Sequence, residues 1–299
     1  MIATLTLNPA IDRTVTIPGF TAGAVNRVEQ TSDRAGGKGV NVAAALTESG
    51  HEVTALGFLG RDNAGIFDSF FAARGIEDRC LRLPGETRTG IKIVDPAHGQ
   101  TTDINFPGLT PTSADLDVLR GQLAALTGGW CVLAGSLPPG VPVGIYGEFI
   151  ATLKANGVRT VLDASGEALR EALKAAPDVI KPNVNELEAL LGKTLPAEAD
   201  VIAAARGLVA GGVKLVVVSR GAEGACFVTA DEIVVARPPS VIVGSTVGAG
   251  DAMVAGIVSA QLRGLPLAEC ARLATAFSLA ALTGMSREGF VERVQITAV

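Results

Sequence analysis

The sequence is poor in the residues that carry thiolate and imidazole chemistry. It holds 4 cysteines, Cys80, Cys131, Cys226 and Cys270, far apart and without CxxC or Cys/His spacing. That argues against zinc and for thiols packed as small apolar side chains in a reducing compartment. Its 2 histidines, His51 in "ESGHEV" and His98 in "DPAHGQ", sit in turn-like contexts away from any nucleophile motif. Acid–base chemistry would then rest on carboxylates. Charged residues make up only 18% against 48% hydrophobic, the reverse of a disordered chain. A net charge of −5 and a pI near 5.2 argue against a nucleic-acid surface, which would be basic. A small anionic ligand needs only a few local cations and stays open. No apolar run is long enough to span a bilayer, and "MIATLTLNPAIDRT" has no basic region followed by a long apolar stretch. The expectation is a cytoplasmic protein without membrane or nucleic-acid partners.

What the chain does contain is alternation of buried strand with helix. Runs of Val, Ile and Leu at 53–60, 130–135, 158–164, 178–182 and 214–219 read as strands, after a first strand at 2–7. Helical periodicity falls at about 38–49, 63–74, 113–126, 142–156, 183–191, 198–210, 251–263 and 267–283. This order predicts a mainly parallel sheet covered by helices on both faces. Four segments, 12–17, 25–32, 87–95 and 100–106, alternate polar with apolar. They predict a small antiparallel sheet with one wet face. A later hairpin is expected at 223–229 and 232–237. There is no linker and no repeat, so 1–299 reads as one α/β three-layer domain with a β lid contributed by about 12–32 and 87–106.

Glycine-rich turns before helices are the chemical signal. "STVGAGDAMVAG" (245–256) strips Gly248, Ala249 and Gly250 of bulk just ahead of Asp251 and an apolar helical run. Free backbone N–H groups at a helix N-terminus favour an anion, and a carboxylate beside such a hole can act as base toward an attacking hydroxyl. Equally, the motif fits a tight turn with an aspartate cap. "AGGKGVNVAAAL" (35–46) carries Lys38 and Asn41 in a similar turn. "KPNVNELEALLG" (181–192) puts Lys181, Asn183 and Glu186 at a strand end, where open α/β sheets bind ligands, and also matches a capping box. "SRGAEG" (219–224) reads as a turn into the hairpin. No Walker A loop is present; "LGKT" at 191–194 lacks the upstream glycine.

"NPAID", "GGKGVNVA", "AGSLPPG", "KPNVNE", "SRGAEG" and "STVGAGDAMVAG" follow one another along the chain in the order seen in the ribokinase-like (PfkB) family of carbohydrate kinases, which the whole sequence resembles. The lysine in "GGKG" points to the hexose-phosphate branch, whose fructose-6-phosphate kinases look like "GGGG" there. The resemblance implies a ribokinase-like α/β/α sandwich with a β lid, ATP as phosphoryl donor and magnesium as cofactor. It implies Asp251 as base, with Val247, Gly248, Ala249 and Gly250 lining an anion hole. Asp12, Gly37, Lys38, Asn41, Arg88 and Ser136 would face the sugar phosphate. Lys181, Asn183, Ser219, Gly221, Gly224, Thr246 and Val247 would face ATP. Asn183 and Glu186 would organise magnesium, with Glu186 acting through water. The implied reaction is phosphorylation of fructose 1-phosphate, with tagatose 6-phosphate as the alternative acceptor and a catalytically silent sugar-phosphate sensor as a third reading. A dinucleotide-binding protein would need GxGxxG after the first strand, where "NPAID" stands. The lid of the family often pairs in a homodimer, which is expected here too.

Overall fold

Runs of β-branched residues need cover on both faces, and the helices between them supply it. A computed structural model describes residues 1–242 and 248–299. Eleven strands form one sheet. Ile2–Thr6 lies inside it, parallel to Val53–Gly60 on one side and to Trp130–Ala134 on the other. The parallel array continues through Arg159–Asp163, Val179–Ile180 and Leu215–Ser219. The predicted hairpin, Ala225–Val228 and Ile233–Arg237, extends it antiparallel, and the C-terminal strand Gln295–Ala298 closes that edge.

The period-2 alternation of side chains divides the core into two layers. Val132 and Ala134 face helices Lys38–Thr47, Ala249–Leu262 and Leu267–Thr283, whereas Cys131 and Leu133 face the helices between residues 113 and 210. Among the described residues the cysteines are all free thiols, three of them buried, as their spacing suggests. No described helix is long and apolar enough to cross a membrane.

The second sheet has four strands in the order Gln30–Gly36, Ala10–Thr16, Thr89–Asp95, Gln100–Ile104. It differs from expectation twice. Its outer pairs are antiparallel, but the central pair, Ala10–Thr16 with Thr89–Asp95, is parallel. The strand expected at 25–32 lies at Gln30–Gly36, so its last residues run directly into "GGKG". The apolar side chains of "VNRV" therefore carry no strand; Val25 and Val28 are exposed loop residues. Val15, Ile17 and Ile93 form a small buried cluster within this lid, with Ile91 and Phe20 against it.

Candidate active site

The C-terminal ends of the parallel strands bring the sequence motifs together. Helix Ala249–Leu262 starts two residues earlier than its periodicity suggests, because Gly248 enters it with φ 78°. That left-handed entry suits glycine. Asp251 thus sits in the first turn, 8% exposed, and Asn41 Nδ2 donates to its Oδ2 at 2.8 Å. Burial pushes the Asp251 carboxyl up to about 6, and the nearby charge of Asp163 adds to this. The Asn41 hydrogen bond and the Lys38 and Lys181 ammonium groups pull the other way. A carboxylate poised there is ionised at neutral pH yet basic enough to take a proton in a transition state.

Lys38 opens helix Lys38–Thr47, capped by Gly37. Its Nζ donates to Asp163 Oδ1 at 2.9 Å, and Lys181 Nζ stands 3.4 Å from Asp163 Oδ2. Burial raises and the two ammonium groups lower the Asp163 pKa, and the net direction is down. For Lys38 burial lowers and Asp163 raises, and the net direction is up. Both shifts favour the ionised pair. Asp163 was not singled out by sequence: a lone aspartate in "VLDAS" has no glycine-rich context to mark it.

Asp12 lies on the lid face opposite Arg34 and Gly90. Burial raises its pKa, while Arg34, Arg88 and Lys92 oppose that shift. A Cβ on Gly36 would stand 2.1 Å from Asp12 Oδ2, so glycine there makes room for the carboxylate. Arg88 is half-buried beside it and donates to the carbonyls of Pro9, Phe106 and Asn8 at 3.2, 3.2 and 3.3 Å. Its guanidinium therefore ties the turn after the first strand to the end of the lid, a second role that its motif did not suggest. Ser136 Oγ accepts from Asn8 Nδ2 at 3.1 Å, which links the "AGSLPPG" turn to the same group.

Against the first turns of helix Ala249–Leu262 lies a cavity of about 520 Å³, lined by Ser219, Gly221, Gly224, Gly250, Met253 and Thr275 among others. Its wall is largely apolar, as a planar base would require. Ser219 and Gly221 also line a neighbouring cleft of about 350 Å³ with Asn183 and Arg220. Arg220 is fastened to Glu198 and Glu223, and Glu198 also holds Arg237. This network fixes the 219–224 turn and was not legible in sequence, since Glu198 reads as an ordinary helix-start residue. Thr246 and Val247, expected at the nucleotide and the anion hole, lie outside the described residues.

Asn183 and Glu186 do form the capping box: Glu186 N–H donates to Asn183 Oδ1 at 2.8 Å, and Asn183 N–H to Glu186 Oε2 at 2.9 Å. One Glu186 oxygen is used by the cap, and the Glu186 carboxylate is among the charges that raise the Lys38 pKa. Among the described residues no group of three His, Cys, Asp or Glu side chains could cage a metal. The donor set fits magnesium as phosphoryl-transfer sites hold it, on one or two protein oxygens with water and substrate phosphates completing the shell. Neither histidine reaches the site: His51 Nε2 meets Ser259 Oγ, and His98 Nδ1 meets Asp95.

Comparison with known proteins agrees with this geometry. The family described as pfkB family carbohydrate kinase matches residues 5–288. The 1-phosphofructokinase of Rhodobacter capsulatus is 55% identical over 284 residues, 94% of this chain and 90% of that protein. The 1-phosphofructokinase of Escherichia coli K12 is 41% identical over 301 residues, 100% of this chain and 96% of that protein. Phosphofructokinase-2 of Escherichia coli, solved in complex with substrates and products, superposes with a TM-score of 0.92 at 31% identity, covering 97% of this chain and 98% of that one. The same enzyme has also been solved as a tetrameric inhibited form, which matches with a TM-score of 0.92, 31% identity and the same coverage, 97% and 98%.

Proposed function

The chain belongs to the pfkB family of carbohydrate kinases, an ATP-dependent phosphotransferase with an alcohol acceptor, and we propose that it phosphorylates fructose 1-phosphate to fructose 1,6-bisphosphate. The observation that carries the mechanism is Asp251: a buried carboxyl raised to about 6, at a helix N-terminus, between a lid carrying Asp12 and an apolar cavity. ATP enters the cavity with its base against the apolar wall. The sugar phosphate enters under the lid, where Asp12 accepts hydrogen bonds from its hydroxyls and Arg88 meets its phosphate. Asp251 accepts the proton of the free primary hydroxyl as that oxygen bonds to the γ-phosphorus, and the bond to ADP breaks. The backbone N–H groups at Gly248–Gly250 and the Lys38 and Lys181 ammonium groups stabilise charge on the moving phosphoryl group. Magnesium, which neutralises nucleotide phosphate charge when bound, would be held by Glu186 and Asn183, partly through water. Asn41 keeps the Asp251 carboxylate oriented.

We also propose a homodimer paired through the lid, whose strand Gln100–Ile104 is exposed along its length. ATP and sugar phosphates are too highly charged to leak across a membrane, which supports a cytoplasmic site of action. Relatives named 1-phosphofructokinase favour fructose 1-phosphate over tagatose 6-phosphate. A coupled ADP-release assay tests the choice. Fructose 1-phosphate should exceed fructose 6-phosphate and tagatose 6-phosphate at least about tenfold in kcat/KM, a difference of roughly 1.4 kcal/mol in transition-state binding. Preference for tagatose 6-phosphate would overturn it.

A further inference from the structure

Asp163 ends a central strand, is 1% exposed, and does not line the apolar cavity. Three elements converge on it: its own strand, helix Lys38–Thr47 and the segment after Val179–Ile180. Lys181 is only 5% exposed and needs a counter-charge. The Lys38 side chain is 37% exposed, but its ammonium turns inward to Asp163 and is desolvated there. Burying a charge pair costs desolvation that the attraction only offsets, so the pair contributes little net stability. What it gains is a fixed position.

That position is on the transfer side of the cleft. The cations facing Asp12 are Arg34, Arg88 and Lys92, whereas those facing Asp251 are Lys38 and Lys181. Three carboxylates, Asp163, Asp251 and Glu186, surround the two ammonium groups and hold them beside the base. The two lysines are also held differently. Lys38 makes a hydrogen bond at 2.9 Å, whereas Lys181 is held by a looser ion pair at 3.4 Å to Asp163 Oδ2.

We infer that Asp163 is a positioning residue that holds Lys38 and Lys181 beside Asp251 to meet the phosphoryl group in flight, so that Lys38 serves the transferred phosphate while Arg88 and the lid read the phosphate already on the substrate. This rests on the kinase reading above, and it moves Lys38 from the sugar-phosphate side, where the motif had put it. A phosphoryl group in transfer spreads its charge over three equatorial oxygens, and fixed cations around it act mainly on kcat.

The test is steady-state kinetics with fructose 1-phosphate and ATP on full-length Lys38→Met, Asp163→Asn and the double variant. Losing one fixed donor at a developing charge costs ~10²–10³ in kcat. Lys38→Met should therefore lower kcat about a hundredfold and move KM for fructose 1-phosphate less than about threefold. Asp163→Asn should lower kcat by about ten- to a hundredfold, and the double variant should fall below Lys38→Met by less than Asp163→Asn falls below wild type, because the part of that loss carried through Lys38 is already gone. A rise in KM of about tenfold with kcat kept in Lys38→Met would overturn the inference, since Lys38 would then read the substrate's own phosphate. So would losses that multiply in the double variant. If Asp163→Asn fails to fold, Lys38→Met alone decides, because it leaves Asp163 paired with Lys181. Wild-type protein inactive on every ketose phosphate would overturn the kinase reading itself, and the inference with it.

Discussion

Asp251→Asn is expected to raise thermal stability at pH 8. Burial holds the Asp251 carboxyl at about 6 in the folded protein. An aspartate in the unfolded chain titrates near 4. The fold therefore binds this proton more tightly than the unfolded chain does, so stability falls as pH rises from about 4 through about 6. Above that window the ionised carboxylate costs about 3 kcal/mol, at about 1.4 kcal/mol for each pH unit between the two values. Asparagine is nearly isosteric, carries no charge, and can still accept the Asn41 hydrogen bond with its amide oxygen. An unfolding entropy of about 2.1 cal/mol/K per residue over 299 residues gives about 0.6 kcal/mol/K, so the gain corresponds to about 5 °C. Calorimetry of wild type and variant at pH 8 and pH 4 reads it. The rise should be present at pH 8 and shrink toward zero at pH 4. An unchanged or lower Tm at pH 8, or an equal rise at both pH values, would refute the reasoning.

Glu186→Gln should leave the capping box in place, shifting stability by less than about 1 kcal/mol, while raising the magnesium concentration for half-maximal velocity several-fold; a lower Tm with unchanged magnesium dependence would assign Glu186 to the cap alone. Arg88→Ala should raise KM for fructose 1-phosphate about ten- to a hundredfold and leave KM for ATP and the weak reaction with free fructose little changed. Equal weakening of ATP would move Arg88 to the fold, where its three carbonyl partners already give it a part. Sedimentation at micromolar concentration should show a dimer; a monomer would contradict pairing through the lid.

The parts legible in sequence were those set by local pattern. Helix Leu267–Thr283 has the bounds its periodicity gives, and Lys38–Thr47 starts where its glycines end. Short elements escaped. Glu77–Asp78 and Gln295–Ala298 are strands by pairing with neighbours, not by composition. Helix Gly166–Leu173 begins on a glycine with φ 61°, which reads as a break. The parallel pairing inside the lid depends on which strands meet, and alternation alone does not say. In the site, glycine-rich motifs mark turns, so Asp251, Lys38 and Asn41 stood out. Asp163 did not, because its role comes from two lysines, 125 and 18 positions away in sequence, that only the fold brings to it. The capping box at Asn183 shows the opposite limit: one spacing satisfied two readings, and the structure shows the capping box.

The central claim is that Asp251 takes the proton of the sugar hydroxyl as the phosphoryl group moves. Rapid-quench single-turnover measurement with saturating ATP and fructose 1-phosphate isolates that step in wild type and Asp251→Asn. General base catalysis is worth ~10²–10⁴-fold, so the variant should bind both substrates as wild type does and form fructose 1,6-bisphosphate more slowly by that factor. Formation of the bisphosphate within a few-fold of the wild-type rate would contradict the account.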